Sequence, residues 1–233
     1  MTRRFSLLVF DWDGTLMDSE ARIVACMQEA MRALDLDPIG AGSIRRIIGL
    51  GIGEAVRALY PQADAGFISH FADAYRVAFM EASSVPQALF PGVEYVLGEL
   101  DGAGYLLAVA TGKGRSGLDR SLHESGLGAR FHATRCADES RSKPHPAMLE
   151  ELMERCGVSP RETLMIGDTT FDLDMARNAG ASAVGVSYGV HPVEHLLGCE
   201  PLTILHAITD LPVWLGSDAG GRASATQGRA ESR

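Results

Sequence analysis

The chain has 233 residues, 46% hydrophobic and 22% charged, with a formal net charge of −9. That length suits one large domain or a domain carrying an insertion, and the composition excludes wholesale disorder and collagen-like structure. An acidic chain with no Lys/Arg-rich run lacks the footprint of a nucleic-acid binder or a polybasic membrane anchor, and no run nears the roughly 18 apolar residues of a membrane crossing.

Met1-Thr2-Arg3-Arg4 resembles the start of a signal peptide. The apolar run behind it, residues 5–10, stops at Asp11 and is too short for a signal core. It reads instead as a buried strand of a parallel sheet. Cys26, Cys136, Cys156 and Cys199 are scattered, with no C-x-x-C pair and no zinc spacing. Reduced thiols in a cytoplasmic protein are the expectation.

After Asp18-Ser19 the period changes. Ile23, Met27, Ala30, Met31 and Leu34 share one helical face. Residues 43–60 also read as helix, interrupted by Gly49, Gly51 and Gly53. Phe67, Phe71, Tyr75, Ala78 and Phe79 form a third stripe. Residues from about 17 to 88 therefore read as helices alone.

A helix over residues 93–100 follows, then a buried strand over 106–110 ending at Thr111. Helices are expected over 115–125 and 144–156, stopped by Gly126 and Gly157. Ser159-Pro160-Arg161-Glu162 carries a capping-box pattern with Pro at the first helical position. Strands are expected over 163–166, 183–186 and 203–205, with a helix between the first two. Strands alternating with helices imply an α/β protein, a doubly wound parallel sheet with right-handed crossovers. The helical block is then an all-helical domain inserted after the first strand. The expected division is residues 1–16 and 89–215 for the core and 17–88 for the insertion. Residues 216–233, rich in Gly, Ala, Ser and Arg, are an expected disordered tail.

Ligands of such sheets bind beyond the carboxyl ends of the strands. Asp11 and Asp13 lie there two residues apart, so on extended backbone they point the same way. Gly14 lets the chain turn away. Thr111-Gly112-Lys113 and Gly167-Asp168 end two other strands, Asp172 follows, and Lys143 stands in a Ser-Lys-Pro-His-Pro loop. Close carboxylates need a neutralising cation, and an oxygen-only set favours Mg²⁺. Thr111 can donate to a phosphate oxygen, Lys143 can neutralise one, and backbone N–H groups near Gly112 can add to them. Asp168 and Asp172 also suit the start of a helix on their own.

Taken in order, Asp11-x-Asp13-Gly14-Thr15-Leu16, then Thr111, Lys143 before Pro144, and Gly167-Asp168-x-x-x-Asp172 resemble the four motifs of the haloacid dehalogenase superfamily. The helical insertion after the first motif resembles that family's all-helical cap domain; the resemblance covers about residues 5–210 and is greatest to its phosphoglycolate phosphatase-like enzymes. It implies a Mg²⁺-dependent phosphatase acting on a small phosphorylated metabolite through an aspartyl-phosphate. Asp11 would be the nucleophile and Asp13 the general acid, then base. Asp11, the Asp13 backbone carbonyl, Asp168 and Asp172 would hold the metal, and Thr111, Gly112 and Lys143 the phosphoryl group.

A sugar-phosphate mutase using the same site is the alternative, and a non-catalytic phosphometabolite-binding regulator a more distant one. Asp13 argues against a dehalogenase, which expels halide and needs no acid there. Gly112-Lys113-Gly114 is not a phosphate-binding P-loop, because the upstream Gly and the following Ser/Thr are missing. Gly49, Gly51 and Gly53 suggest a cap loop facing the site. Arg45 and Arg46 are surface residues or substrate contacts. His145, His191 and His195 show no ligand spacing.

Overall fold

The computed structural model describes residues 3–82 and 85–217. Its centre is a six-stranded sheet, all parallel, in the order β5-β4-β1-β6-β7-β8. The strands are β1 (Leu7–Phe10), β4 (Leu106–Thr111), β5 (Ala133–Cys136), β6 (Thr163–Gly167), β7 (Ser182–Val186) and β8 (Ile204–Leu205). The chain starts in the middle with β1, builds outward to β5 on one side, then returns to build β6 to β8 on the other. Such reversal leaves a crevice at the carboxyl end of the central strand.

β1 is buried along its whole length, and its side chains alternate between two cores. Leu8 and Phe10 join a cluster with Val96, Leu97 and Leu211, whereas Leu7 and Val9 pack with Leu149, Leu152 and Met175. The helices covering the sheet are α5 (Val93–Gly102), α6 (Arg115–Ser125), α7 (Ala147–Cys156), α8 (Thr170–Asn178), α9 (Val193–Leu197) and α10 (Asp210–Gly216). Gly126 and Gly157 end α6 and α7 in left-handed conformation, at φ 70 and 65.

The insertion holds α1 (Glu20–Ala33), α2 (Ala41–Arg45), α3 (Ile52–Leu59) and α4 (Ala65–Val77), continued by a π-helical turn Ala78–Ala82. It has a hydrophobic cluster of its own, centred on Met27, Met31, Ile44, Val56 and Phe71.

Several expectations need correction. The segment from 17 to 88 is not helical throughout, because β2 (Met17–Asp18) and β3 (Ala88–Leu89) pair antiparallel where the chain leaves and re-enters the core. The helix expected over 43–60 is two helices with the Gly49–Gly51 loop between them. The helix expected from 144 begins at Ala147, after Pro144 and Pro146. At Ser159 the hydroxyl donates to the Glu162 carboxylate at 2.6 Å and caps no backbone N–H. β5 was not expected at all. The expected disordered tail lies outside the described residues from 218 onward, and Gly216 itself ends α10. None of the four cysteines forms a disulfide, and among the described residues no helix is long and apolar enough to cross a membrane.

Candidate active site

The residues nominated from the sequence meet at the crevice. Asp11 directly follows β1, its N–H donating to the Ile166 carbonyl of β6 at 2.9 Å. Asp168 directly follows β6, and Thr111 ends β4. Lys143, Asp168, Asp172, Thr111 and Asp11 are all buried to within 1% of completeness. The Lys143 ammonium sits between two carboxylates, 2.7 Å from Asp11 Oδ1 and 2.6 Å from Asp172 Oδ1.

Asp172 serves two roles with one side chain. Its Oδ2 accepts from the Thr169 N–H (3.1 Å) and hydroxyl (2.7 Å), closing a capping box at the start of α8. That aims Oδ1 at Lys143. The helix-cap reading is thus realised, and the same side chain also reaches Lys143. Asp168 accepts from the Thr15 hydroxyl (2.9 Å) and the Val190 N–H (2.8 Å). Gly14, at φ 85, and Gly189 pack so tightly against it that a Cβ on either would overlap its carboxylate.

Asp13 is turned the other way. Lys113 Nζ contacts both its oxygens at 2.8 Å, and the Ser19 hydroxyl donates to Oδ1 at 2.6 Å. The same ammonium lies 4.6 Å from the Phe79 ring centre, joining the core to the insertion. The role of Lys113 was missed from sequence. Its place at a strand end on the same rim was read, but its side chain was weighed only within a P-loop pattern and given no partner. Thr111 Oγ1 accepts from the Lys113 N–H at 3.1 Å, which leaves its own O–H free to donate.

The insertion closes over the rim. The Gly51 N–H donates to the Ser142 hydroxyl at 2.8 Å. Gly112 packs under the same loop, where an added Cβ would lie 2.5 Å from the carbonyl oxygens of Gly49 and Leu50. Between core and insertion is a cavity of about 410 Å³ lined by Asp11, Asp13, Thr111, Gly112 and the loop glycines Gly49, Gly51 and Gly53. Arg45 and Arg46 do not line it. They reach Glu20 and Ser43 on the surface. His191 Nδ1 accepts from the Thr170 N–H at 3.1 Å, a structural use.

Electrostatics at the rim are set by burial. Desolvation raises the Asp11 carboxyl well above its ordinary value; Lys143 lowers it, while Asp172 and Asp168 raise it further. Asp168 is pushed up to about 7, by burial first and then by Asp172. Burial works against the charge on Lys143, but Asp11 and Asp172 outweigh it and raise its pKa. One ammonium among three carboxylates leaves an excess of negative charge. Asp11, Asp168 and Asp172 each offer an oxygen, these atoms lying within 4.8 Å of one another. Asp11 Oδ2 is buried with no hydrogen-bond partner. An oxygen-only set with an unpartnered buried carboxylate oxygen fits a hard divalent cation. The Asp13 side chain stands outside this set.

A doubly wound sheet with buried carboxylates at its switch point, covered by a helical insertion, defines an α/β protein with an acidic centre whose oxygens suit a divalent cation. The chain belongs to the haloacid dehalogenase-like hydrolase family, whose model matches residues 8–186, and it is a phosphatase of that family. It is 36% identical to the protein named "Probable phosphatase IndB" of Dickeya dadantii over 210 residues, 88% of this chain and 91% of that one. It is 28% identical to the phosphoglycolate phosphatase of Vibrio vulnificus strain CMCP6 over 217 residues, 90% and 95% of the two chains. The crystal structure of a hydrolase from Pseudomonas syringae superimposes with a TM-score of 0.83 at 25% identity, covering 91% of this chain and 98% of that one.

Proposed function

We propose that the protein hydrolyses a small phosphate monoester by way of an aspartyl-phosphate on Asp11, with Mg²⁺ as cofactor. The observation that carries this is the buried Asp11–Lys143–Asp172 contact beside Asp168, with Asp11 Oδ2 unpartnered. Asp11, Asp168 and Asp172 would hold the cation, together with the Asp13 backbone carbonyl; bound there, it supplies charge neutralisation for the phosphoryl oxygens. Its charge also keeps Asp11 ionised against burial, as a nucleophile requires.

Thr111, the Gly112 N–H and Lys143 orient the phosphoryl group. Asp11 attacks phosphorus, and the bond from phosphorus to the ester oxygen breaks. Asp13, steadied by Lys113 and Ser19, gives its proton to the departing alkoxide. A water then attacks phosphorus and returns a proton to Asp13. The Asp11–phosphorus bond breaks, and inorganic phosphate leaves. The insertion, residues 17–88, acts as a cap that excludes water until the phospho-enzyme has formed. Phosphoglycolate, the substrate named for several relatives, is the family-level candidate. A mutase would use the same residues, Asp13 included, but would have to shield the phospho-enzyme from water; release of inorganic phosphate separates the two.

The test is phosphate release. Asp11→Asn is expected to abolish it while the fold, followed by circular dichroism, is kept. An unchanged rate would remove the mechanism.

A further inference from the structure

The cavity extends from the two aspartates into the insertion. On that side its wall carries Ile23, Ile47, Ile52, Tyr75, Phe79 and Met80. Tyr75 and Phe79 are neighbours at 5.8 Å between ring centres. Three cations line the cavity, and each is engaged: Lys113 with Asp13, Arg57 with Glu54, and Arg76 with Asp73. The wall also carries the carboxylates of Asp11, Asp13, Glu54 and Asp138. The part of a substrate beyond the phosphoryl group therefore meets apolar side chains and no unpaired positive charge.

Two physical consequences follow for the leaving group. A second carboxylate on the substrate would enter without a counter-ion, beside four carboxylates, and would give up its hydration for apolar contact. Size points the same way. At roughly 30 Å³ per atom at liquid density, 410 Å³ accommodates about fourteen non-hydrogen atoms. A phosphoryl group takes about four of them, and a glycolate body would leave much of the rest unfilled.

We propose that the substrate is the phosphate monoester of an uncharged alcohol with an apolar or aromatic body of up to about ten non-hydrogen atoms, and that a carboxylate-bearing ester such as 2-phosphoglycolate is a poor substrate. This rests on the phosphatase reading of the site. Specificity lies with Ile47, Ile52, Tyr75, Phe79 and Met80, which touch the body of the alcohol.

The experiment compares kcat/KM for benzyl phosphate, ethyl phosphate and 2-phosphoglycolate with the full chain in Mg²⁺. Benzyl phosphate is expected to exceed each of the others at least tenfold, the scale of a few buried methylenes. Ile52→Lys, which places an unpaired cation on the wall, is expected to shrink the benzyl-to-phosphoglycolate ratio at least tenfold. Calorimetry on Asp11→Asn compares the binding of the two esters apart from turnover, with benzyl phosphate expected to bind more tightly. Phosphate release with 2-phosphoglycolate preferred or equal overturns this inference and leaves the phosphatase reading standing. Equal or tighter binding of 2-phosphoglycolate by Asp11→Asn overturns it as well. No release from any of the three esters overturns the phosphatase reading, and the inference with it.

Discussion

Asp168 shows most clearly what it means to bury three carboxylates together. Its carboxyl is raised to about 7, and that of Asp11 is raised too, by burial before anything else. A raised carboxyl contributes stability that is complete below its ordinary value near 3.8 and is lost as pH climbs through the folded value. The metal-free protein is therefore expected to lose thermal stability between about pH 4 and about pH 7. A divalent cation favours the ionised carboxylates and competes with protons. The rise in Tm given by Mg²⁺ should thus be larger at the alkaline end by a few degrees, read by differential scanning calorimetry. An equal or smaller rise there would contradict the electrostatic picture. Asp13 lies outside the triad, and Asp13→Asn should slow phosphate release about 10²- to 10⁴-fold, the usual worth of a positioned acid–base group, with Mg²⁺-dependent stabilisation retained. That the four motif aspartates, Thr111 and Lys143 gather at one rim was legible, because each stands at or just past a strand end or in the loop beside it. Lys113 was not, because its role is a contact with Asp13 a hundred residues away, and no local pattern encodes that.

At the scale of elements, the Gly49–Gly51 loop is fitted to the end of β4. Gly112 has no space for a Cβ beneath it. Gly112→Ala is expected to displace the loop and lower kcat/KM at least tenfold while Tm moves little, measured by phosphate release and thermal melting. Unchanged kinetics would mean that the loop does not need this closeness. Long periodic elements could be read from sequence: the α1 stripe and the apolar runs of β1, β4 and β6 each repeat a period over several residues. β2 and β3 could not, since two-residue strands have no period to show. β5 is Ala-Thr-Arg-Cys, without an apolar run, and lies at the sheet edge, where burial asks less of it.

The molecule as a whole places two hydrophobic units around one charged crevice. The insertion has its own core, with Phe71 fully buried at its centre. Phe71→Ala is expected to cost about 3–5 kcal/mol, read from denaturant unfolding, and a change near zero would show that α4 is not anchored there. The helical insertion α1 to α4 was readable in outline, because the switch from alternating strands to helices alone is a change of period. How the cap sits on the rim was not, because the Ser142, Gly112 and Phe79 contacts join segments that are remote in sequence. In the proposed mechanism the cation and the chemistry both fall on Asp11, so the phospho-enzyme should be trapped there. Rapid acid quench during turnover of benzyl phosphate with Mg²⁺, followed by peptide mass spectrometry, is expected to show one phosphoryl group on the peptide containing Asp11, absent after EDTA treatment. Steady phosphate release with no phosphoryl group on Asp11, or with one on another residue, would contradict the proposed mechanism.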